Sequence, residues 1–177
     1  SDSTGPCLEG WVTLTALAQA TERLRVGVLV TGIHYRHPAV LANMAAALDI
    51  VSNGRLELGI GAGWNEEESG AYGIELGTVK ERLDRFEEAC QVLKSLLSQE
   101  STTFDGAFYQ LKDARNEPKG PQRPHPPICI GGSGEKRTLR ITAKYADHWN
   151  FAGTEPAEFA RKRDVLAAHC ADIGRDP

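Results

Sequence analysis

Gly131-Gly132-Ser133-Gly134 follows the apolar run Pro127-Ile128-Cys129-Ile130 and precedes a segment of helical pattern over 136–145. A glycine-rich turn between strand and helix lets successive backbone N–H groups converge on one point, and the helix N-terminus adds partial positive charge. Phosphate is the guest that chemistry suits, with the Ser133 hydroxyl as a further donor. Lys136 and Arg137 fall in the expected first helical turn, where they oppose the helix dipole and a nearby anion would offset the cost. A turn chosen for tightness alone is the plainer reading. Gly132→Asp separates the two, because a phosphate site should lose affinity far more than the fold loses stability.

Gly59-Ile60-Gly61-Ala62-Gly63-Trp64 carries glycine at alternate positions. It lacks the full Gly-x-Gly-x-x-Gly spacing and no helix is expected to follow directly, so a dinucleotide fingerprint is excluded. Backbone held close to a flat ligand fits better. Trp64 either stacks on that ligand or packs beneath the loop. Glu66, Glu67 and Glu68 form a charge run suited to capping or a solvated face, with one acid near a ring system as the functional alternative. Thr31-Gly32-Ile33-His34-Tyr35-Arg36-His37-Pro38 ends a strand with polar and aromatic groups. His34 is a candidate ligand contact and Arg36 a candidate partner for phosphate or carboxylate. No third ligand joins His34 and His37, and no metal site is expected. No Ser/His/Asp set or carboxylate pair stands out, so no catalytic side chain is assigned. Core packing is the preferred role for Trp149.

The elements that must position these groups read as α/β. Apolar runs at 24–31, 56–60, 127–131 and 146–151 are strands covered on both faces, as in parallel sheets. A helix over 12–22, capped by Thr13 or Thr15, precedes the first. Pro38 opens an alanine-rich helix that Asn53 or Gly54 stops. Over 79–97, Val79, Leu83, Phe86, Cys90, Leu93 and Leu97 form one stripe of a surface helix. Thr102-Thr103-Phe104 and Phe108-Tyr109-Gln110-Leu111 flank Asp105-Gly106 as a hairpin, and a proline-rich connector follows to Pro127. Pro156 opens a last helix. Glycines follow at least three strands, which favours a (β/α) barrel with its active end at the strand C-termini over an open doubly wound sheet. The whole of 1–177 reads as one domain, with 102–127 as an excursion.

Of 177 residues, 41% are hydrophobic and 25% charged, enough for a sizeable core. The net charge of -4 argues against a nucleic-acid surface. Cys7, Cys90, Cys129 and Cys170 lack metal-ligand spacing and read as free thiols in a reducing, cytoplasmic setting. No apolar stretch is long enough to span a membrane, and residues 1–6 show no signal-peptide pattern.

Four stretches resemble the luciferase-like monooxygenase superfamily, and within it the coenzyme F420-dependent oxidoreductases of actinobacterial type. They are Leu29-Val30-Thr31-Gly32 with Tyr35-Arg36-His37-Pro38, the run Gly54 to Trp64, Glu81 to Ala89, and Pro126 to Lys136. The resemblance implies a TIM barrel, of which this chain covers roughly strands 3 to 6, with two strands before Ser1 and two after Pro177. It implies a non-prolyl cis peptide at Val28-Leu29 behind the cofactor ring, with Thr31 facing the pocket. It places Gly61, Ala62, Gly63 and Glu67 near the ring and Gly131, Gly132, Ser133 and Gly134 at the cofactor phosphate. The implied activity is hydride transfer between F420 and an organic small molecule. The alternatives are FMN with molecular oxygen, or a non-catalytic fragment of such a barrel. Part of a barrel exposes open sheet edges that must be covered, and a homo-oligomer, expected to be a dimer, would cover them.

Overall fold

A computed structural model describes residues 5–177. The first helix, α1 (Gly10–Ala20), starts two residues earlier than its spacing suggests. Glu9 caps it, its carboxylate accepting from the Val12 N–H at 2.7 Å. Thr15 cannot serve as the cap, because its hydroxyl donates back to the Trp11 carbonyl inside the helix.

Regular pairing in the first apolar run is short. Strand β1 (Thr31–Gly32) pairs in parallel with β2 (Leu58–Gly61), and a single bridge joins Val26 to Leu56 below it. Residues 27–30 leave the ladder between the two. The cis peptide lies at Leu29-Val30, one residue beyond the expected Val28-Leu29. Gly27 admits a close neighbour, since a Cβ there would meet the Glu57 carbonyl at 2.6 Å.

Helix α2 (Pro38–Val51) is capped by His37, whose ring accepts from the Ala39 N–H. It ends where Asn53 and Gly54 both take left-handed φ, at 54° and 78°. A short helix, α3 (Glu66–Ala71), follows β2 almost at once, and the Asn65 side chain caps it. It was not expected: six residues are too few to show a helical period, and its first turn is the glutamate run.

Helix α4 (Val79–Ser98) opens with a reciprocal capping box between Thr78 and Glu81. It buries Phe86, Ala89, Cys90 and Leu93 against the sheet. The hairpin β3 (Thr102–Asp105) and β4 (Gln110–Ala114) hangs from this helix. One Glu88 carboxylate accepts from the N–H groups of Ala107, Phe108 and Tyr109. Strand β5 (Ile128–Gly131), helix α5 (Thr138–Tyr145), strand β6 (His148–Asn150) and helix α6 (Pro156–Asp172) complete the order. Helix α5 begins after Arg137, so Lys136 and Arg137 lie outside its first turn. Arg137 instead pairs with Asp84 and Glu87 of α4, which removes the dipole conflict the sequence suggested.

The main sheet is parallel, in the order β1-β2-β5-β6. Alternation along β2 and β5 sends Leu58, Ile60, Ile128 and Ile130 into the helical layer, where each is buried. Gly59, Gly61, Cys129 and Gly131 occupy the other face. This α/β fold is an open section of the barrel architecture, not a closed one. All four thiols are free; Cys90 and Cys170 are buried, Cys129 is half-buried and Cys7 is exposed.

Candidate cofactor cleft

The glycine face gives the cleft its floor. Val30, carried out of β1 by the irregular stretch, lies across three glycines from two strands. A Cβ on Gly61 would meet its side chain at 2.9 Å and one on Gly131 at 3.1 Å. On Gly59 a Cβ would reach Val30 at 3.3 Å and collide with the Val28 carbonyl. The glycines are therefore fitted to one another's neighbour, and the result is a smooth apolar floor at the C-terminal ends of β2 and β5.

Above it opens a cleft of ≈ 590 Å³. Its phosphate-like end is the loop after β5. Four successive carbonyls there are turned outward onto donors: Gly132 to the Trp149 indole, Ser133 to Lys162, Gly134 to the Leu139 N–H and Glu135 to the His169 ring. Among the described residues the N–H groups of Ser133, Gly134 and Glu135 meet no acceptor. Peptide groups with engaged carbonyls and free N–H groups form an anion-accepting concavity. The Glu135 carboxylate does not compete there. Lys162 and Arg161 hold it at 2.8 and 2.7 Å and bring its pKa down to about 2.

Arg82 supplies the cation. It projects from the first turn of α4 into the cleft and donates to the Gly63 carbonyl at 3.2 Å. Among the described residues no carboxylate lies within ion-pair reach of it. The Thr138 hydroxyl also lines this end.

The wall beyond Gly63 is built on His34, wedged between Gly32 and Gly63. A Cβ on Gly63, whose φ is 87°, would meet the imidazole at 2.5 Å. Ser69 donates to the Asn65 carbonyl, so its oxygen accepts from His34 Nε2–H at 3.2 Å. That assigns the proton to Nε2 and leaves Nδ1 as a buried acceptor with no hydrogen-bond partner among the described residues. Burial first, then the positive charge of Arg85, hold the ring's pKa below its ordinary value. Tyr35 donates to Glu68 at 2.6 Å, and burial with that carboxylate pushes the phenol up to about 12.

Leu29, Gly61, Ala62, Gly63, Gly131, Gly132 and Gly134 thus meet at one cleft. The other expected site residues lie elsewhere. Thr31 is buried and accepts from the Trp11 indole at 2.9 Å, behind the floor and not facing the cleft. Val28 borders a separate recess with Arg25, Glu57, Cys129 and His148. Glu67 sits exposed on α3, and the acid that lines the cleft is its neighbour Glu68. Ser133 offers its backbone, while its side chain is not in the lining. Arg36 pairs with Glu9. Trp149 is half-buried and stacks on Phe159. Sequence reasoning missed Val30, Arg82 and Thr138. Arg82 was legible in part: it falls within the apolar stripe, three residues after Val79 and four before Phe86, where a cation needs a reason. Among the described residues no cluster of three or more His, Cys, Asp or Glu could hold a metal ion.

The arrangement defines an α/β protein with a cleft that has an apolar glycine floor and, at one end, backbone N–H groups and the Arg82 cation. The whole chain, residues 1–177, matches the family described as luciferase-like monooxygenase, and it belongs to that family. A phthiodiolone/phenolphthiodiolone dimycocerosates ketoreductase of a Mycobacterium species is 35% identical over 176 residues, covering 96% of this chain and 45% of the relative. The pyrimidine monooxygenase RutA of Methylobacterium radiotolerans is 34% identical over 173 residues, covering 95% and 44%. An F420-dependent secondary alcohol dehydrogenase, solved with an F420-acetone adduct, superposes with a TM-score of 0.89 at 24% identity, over 99% of this chain and 53% of that one. The chain spans about half the length of the curated relatives it matches.

Proposed function

We propose that this chain forms the cofactor-holding part of an oxidoreductase that uses a phosphorylated flavin-type cofactor. The carrying observation is the conjunction of a glycine floor under Val30 with, at one end, N–H groups that meet no acceptor and an Arg82 that meets no carboxylate among the described residues. A tricyclic ring fits the floor, and its phosphate fits the loop. The residues of this chain would bind and orient the cofactor and exclude water, while the bound cofactor supplies the redox chemistry. The cleft volume suits such a ligand, since small-molecule sites run to about 300–1,000 Å³.

Between the two cofactors, the family description and the RutA relative favour FMN with molecular oxygen over the F420-linked hydride transfer that the sequence suggested. The ketoreductase relatives support carbonyl reduction as the second reading. Titration with FMN and with F420, followed by fluorescence, decides. Saturable FMN binding and oxygen consumption on reduction support the monooxygenase. Binding of F420 alone moves the reading to hydride transfer, and binding of neither removes it.

The reading treats residues 1–177 as one domain carrying the 102–127 excursion, in a reducing cytoplasmic setting consistent with free thiols. It also includes a homodimer. Helices α1 and α2 carry one charged residue between them, Asp49, and it is buried. Their outer faces expose Val12, Leu17, Val40 and Ile50. Two copies of a charge-free face meet without repulsion, as a two-fold contact requires. No helix among the described residues is long and apolar enough to cross a membrane.

A further inference from the structure

The three tryptophans are held in different ways. Trp11 is buried and its indole N–H donates to Thr31. Trp149 donates to the Gly132 carbonyl and lies flat on Phe159, with ring centroids 5.7 Å apart. Trp64 has neither kind of anchor. It is 75% exposed, and among the described residues its ring meets no other ring and its N–H no acceptor. The choice left open by the sequence, stacking on a ligand or packing beneath the loop, is narrowed by that exposure.

The backbone around Trp64 is nevertheless fixed. Gly63 before it takes a left-handed φ, and Asn65 after it caps α3. The indole is presented from a set point at the edge of the cleft. Val79, 61% exposed, and Leu29, 67% exposed, border the same cleft. Three large apolar side chains left in water along one cleft carry an unfavourable hydration cost that an apolar guest would relieve. An aromatic face is suited to a planar guest.

We propose that Trp64, Val79 and Leu29 form a substrate subsite at the mouth of the cleft. It takes the uncharged, flat apolar part of an organic substrate, which stacks on Trp64. This rests on the cofactor reading above, in which the ring occupies the Gly61–Val30–Gly131 floor and its phosphate the loop at Gly132. Trp64 lies beyond the end of β2, outside that floor.

The test uses the full chain, labelled with ¹⁵N, and acetophenone as the probe. The three indole N–H signals are separated by magnetic resonance, and Trp64→Phe identifies the one that disappears. Acetophenone, added with and without FMN, should shift the Trp64 signal saturably and leave those of Trp11 and Trp149 in place. Trp64→Ala should weaken acetophenone binding about tenfold, the loss expected when one aromatic stacking surface is removed. Trp64→Phe should keep most of the affinity, and FMN affinity should stay within about twofold in both variants. A Trp64 signal that acetophenone does not move in either state overturns the subsite. So does a Trp64→Ala variant that loses FMN affinity as strongly, because the indole would then belong to the cofactor. If neither FMN nor F420 perturbs the amides of residues 132–134, the cofactor reading fails, and a saturable Trp64 shift still carries the subsite.

Discussion

His34 and Arg82 are the side chains on which the cleft's electrostatics turn. Burial holds the His34 imidazole neutral, with its folded pKa below the unfolded value. As the pH falls below about 6.5, the unfolded chain takes up a proton that the folded chain resists. Stability is therefore whole above that pH and declines below it, down to the folded pKa. His34→Gln should flatten this part of a plot of Tm against pH between 7 and 5, which thermal melts will show. Arg82→Gln should weaken FMN binding by about ten- to a hundredfold, the usual range for a lost charge-assisted hydrogen bond. Its Tm should change little, because its one hydrogen bond through the guanidinium among the described residues is to the Gly63 carbonyl. Unchanged affinity in a fluorescence titration would remove Arg82 from the site. Gly132→Asp is a poorer probe than the sequence suggested. Gly132 has φ 121°, and a Cβ there would meet Thr138 at 3.1 Å. Any side chain would strain the backbone, so the fold and the site would fail together.

At the scale of elements, the cleft depends on how the connectors are tied to the helices. The fully buried Asp49, near the end of α2, accepts from the backbone and side-chain N–H groups of Gln122 at 3.1 and 2.7 Å. Gln122 also donates to the Leu56 carbonyl at the foot of β2. One carboxylate thus fastens the proline-rich connector beneath the strands that carry the glycines. Asp49→Ala leaves the half-buried Gln122 backbone N–H without its acceptor and the side-chain amide with only the Leu56 carbonyl, and should cost about 1–3 kcal/mol. Urea unfolding measures this, and a loss below a few tenths of a kcal/mol would show that the connector holds itself. Asp49 sits at a helix position where the sequence shows only a lone acid in an apolar run. Its partner is 73 residues away, and no local pattern announces it.

For the whole molecule, the distribution of charge is uneven. Helices α4 and α6 are ringed with ion pairs, such as Lys144 with Glu87 and Arg161 with Glu135, while α1 and α2 show uncharged outer faces. The double variant Val40→Glu, Ile50→Glu places like charges on that face and should convert a dimer to a monomer without unfolding it. Light scattering after size exclusion reports the mass, and circular dichroism the fold. A mass unaffected by the substitutions would place any self-association elsewhere.

The sequence alone determined the order of the elements other than α3, and the end of the sheet at which the glycines gather. Those properties are local: Val79, Leu83, Phe86 and Cys90 repeat at the helical period, and an apolar run such as Pro127 to Ile130 stops at a glycine. It also marked Gly61, Gly63 and Gly132 as places where backbone comes close to something. What comes close was decided by the tertiary structure. Val30 reaches across Gly59, Gly61 and Gly131 only because residues 27–30 leave the ladder. Thr31, which strand alternation alone leaves free to face the cleft, is drawn instead to Trp11 on a helix twenty residues earlier. The carbonyls of Gly132, Ser133 and Glu135 face outward because α6 and β6 bring Trp149, Lys162 and His169 to them, and that of Gly134 because α5 brings the Leu139 N–H. Periodicity reports which face of an element is apolar. It carries no record of which distant donor a buried polar group will find, and here those pairings set the direction of the free N–H groups.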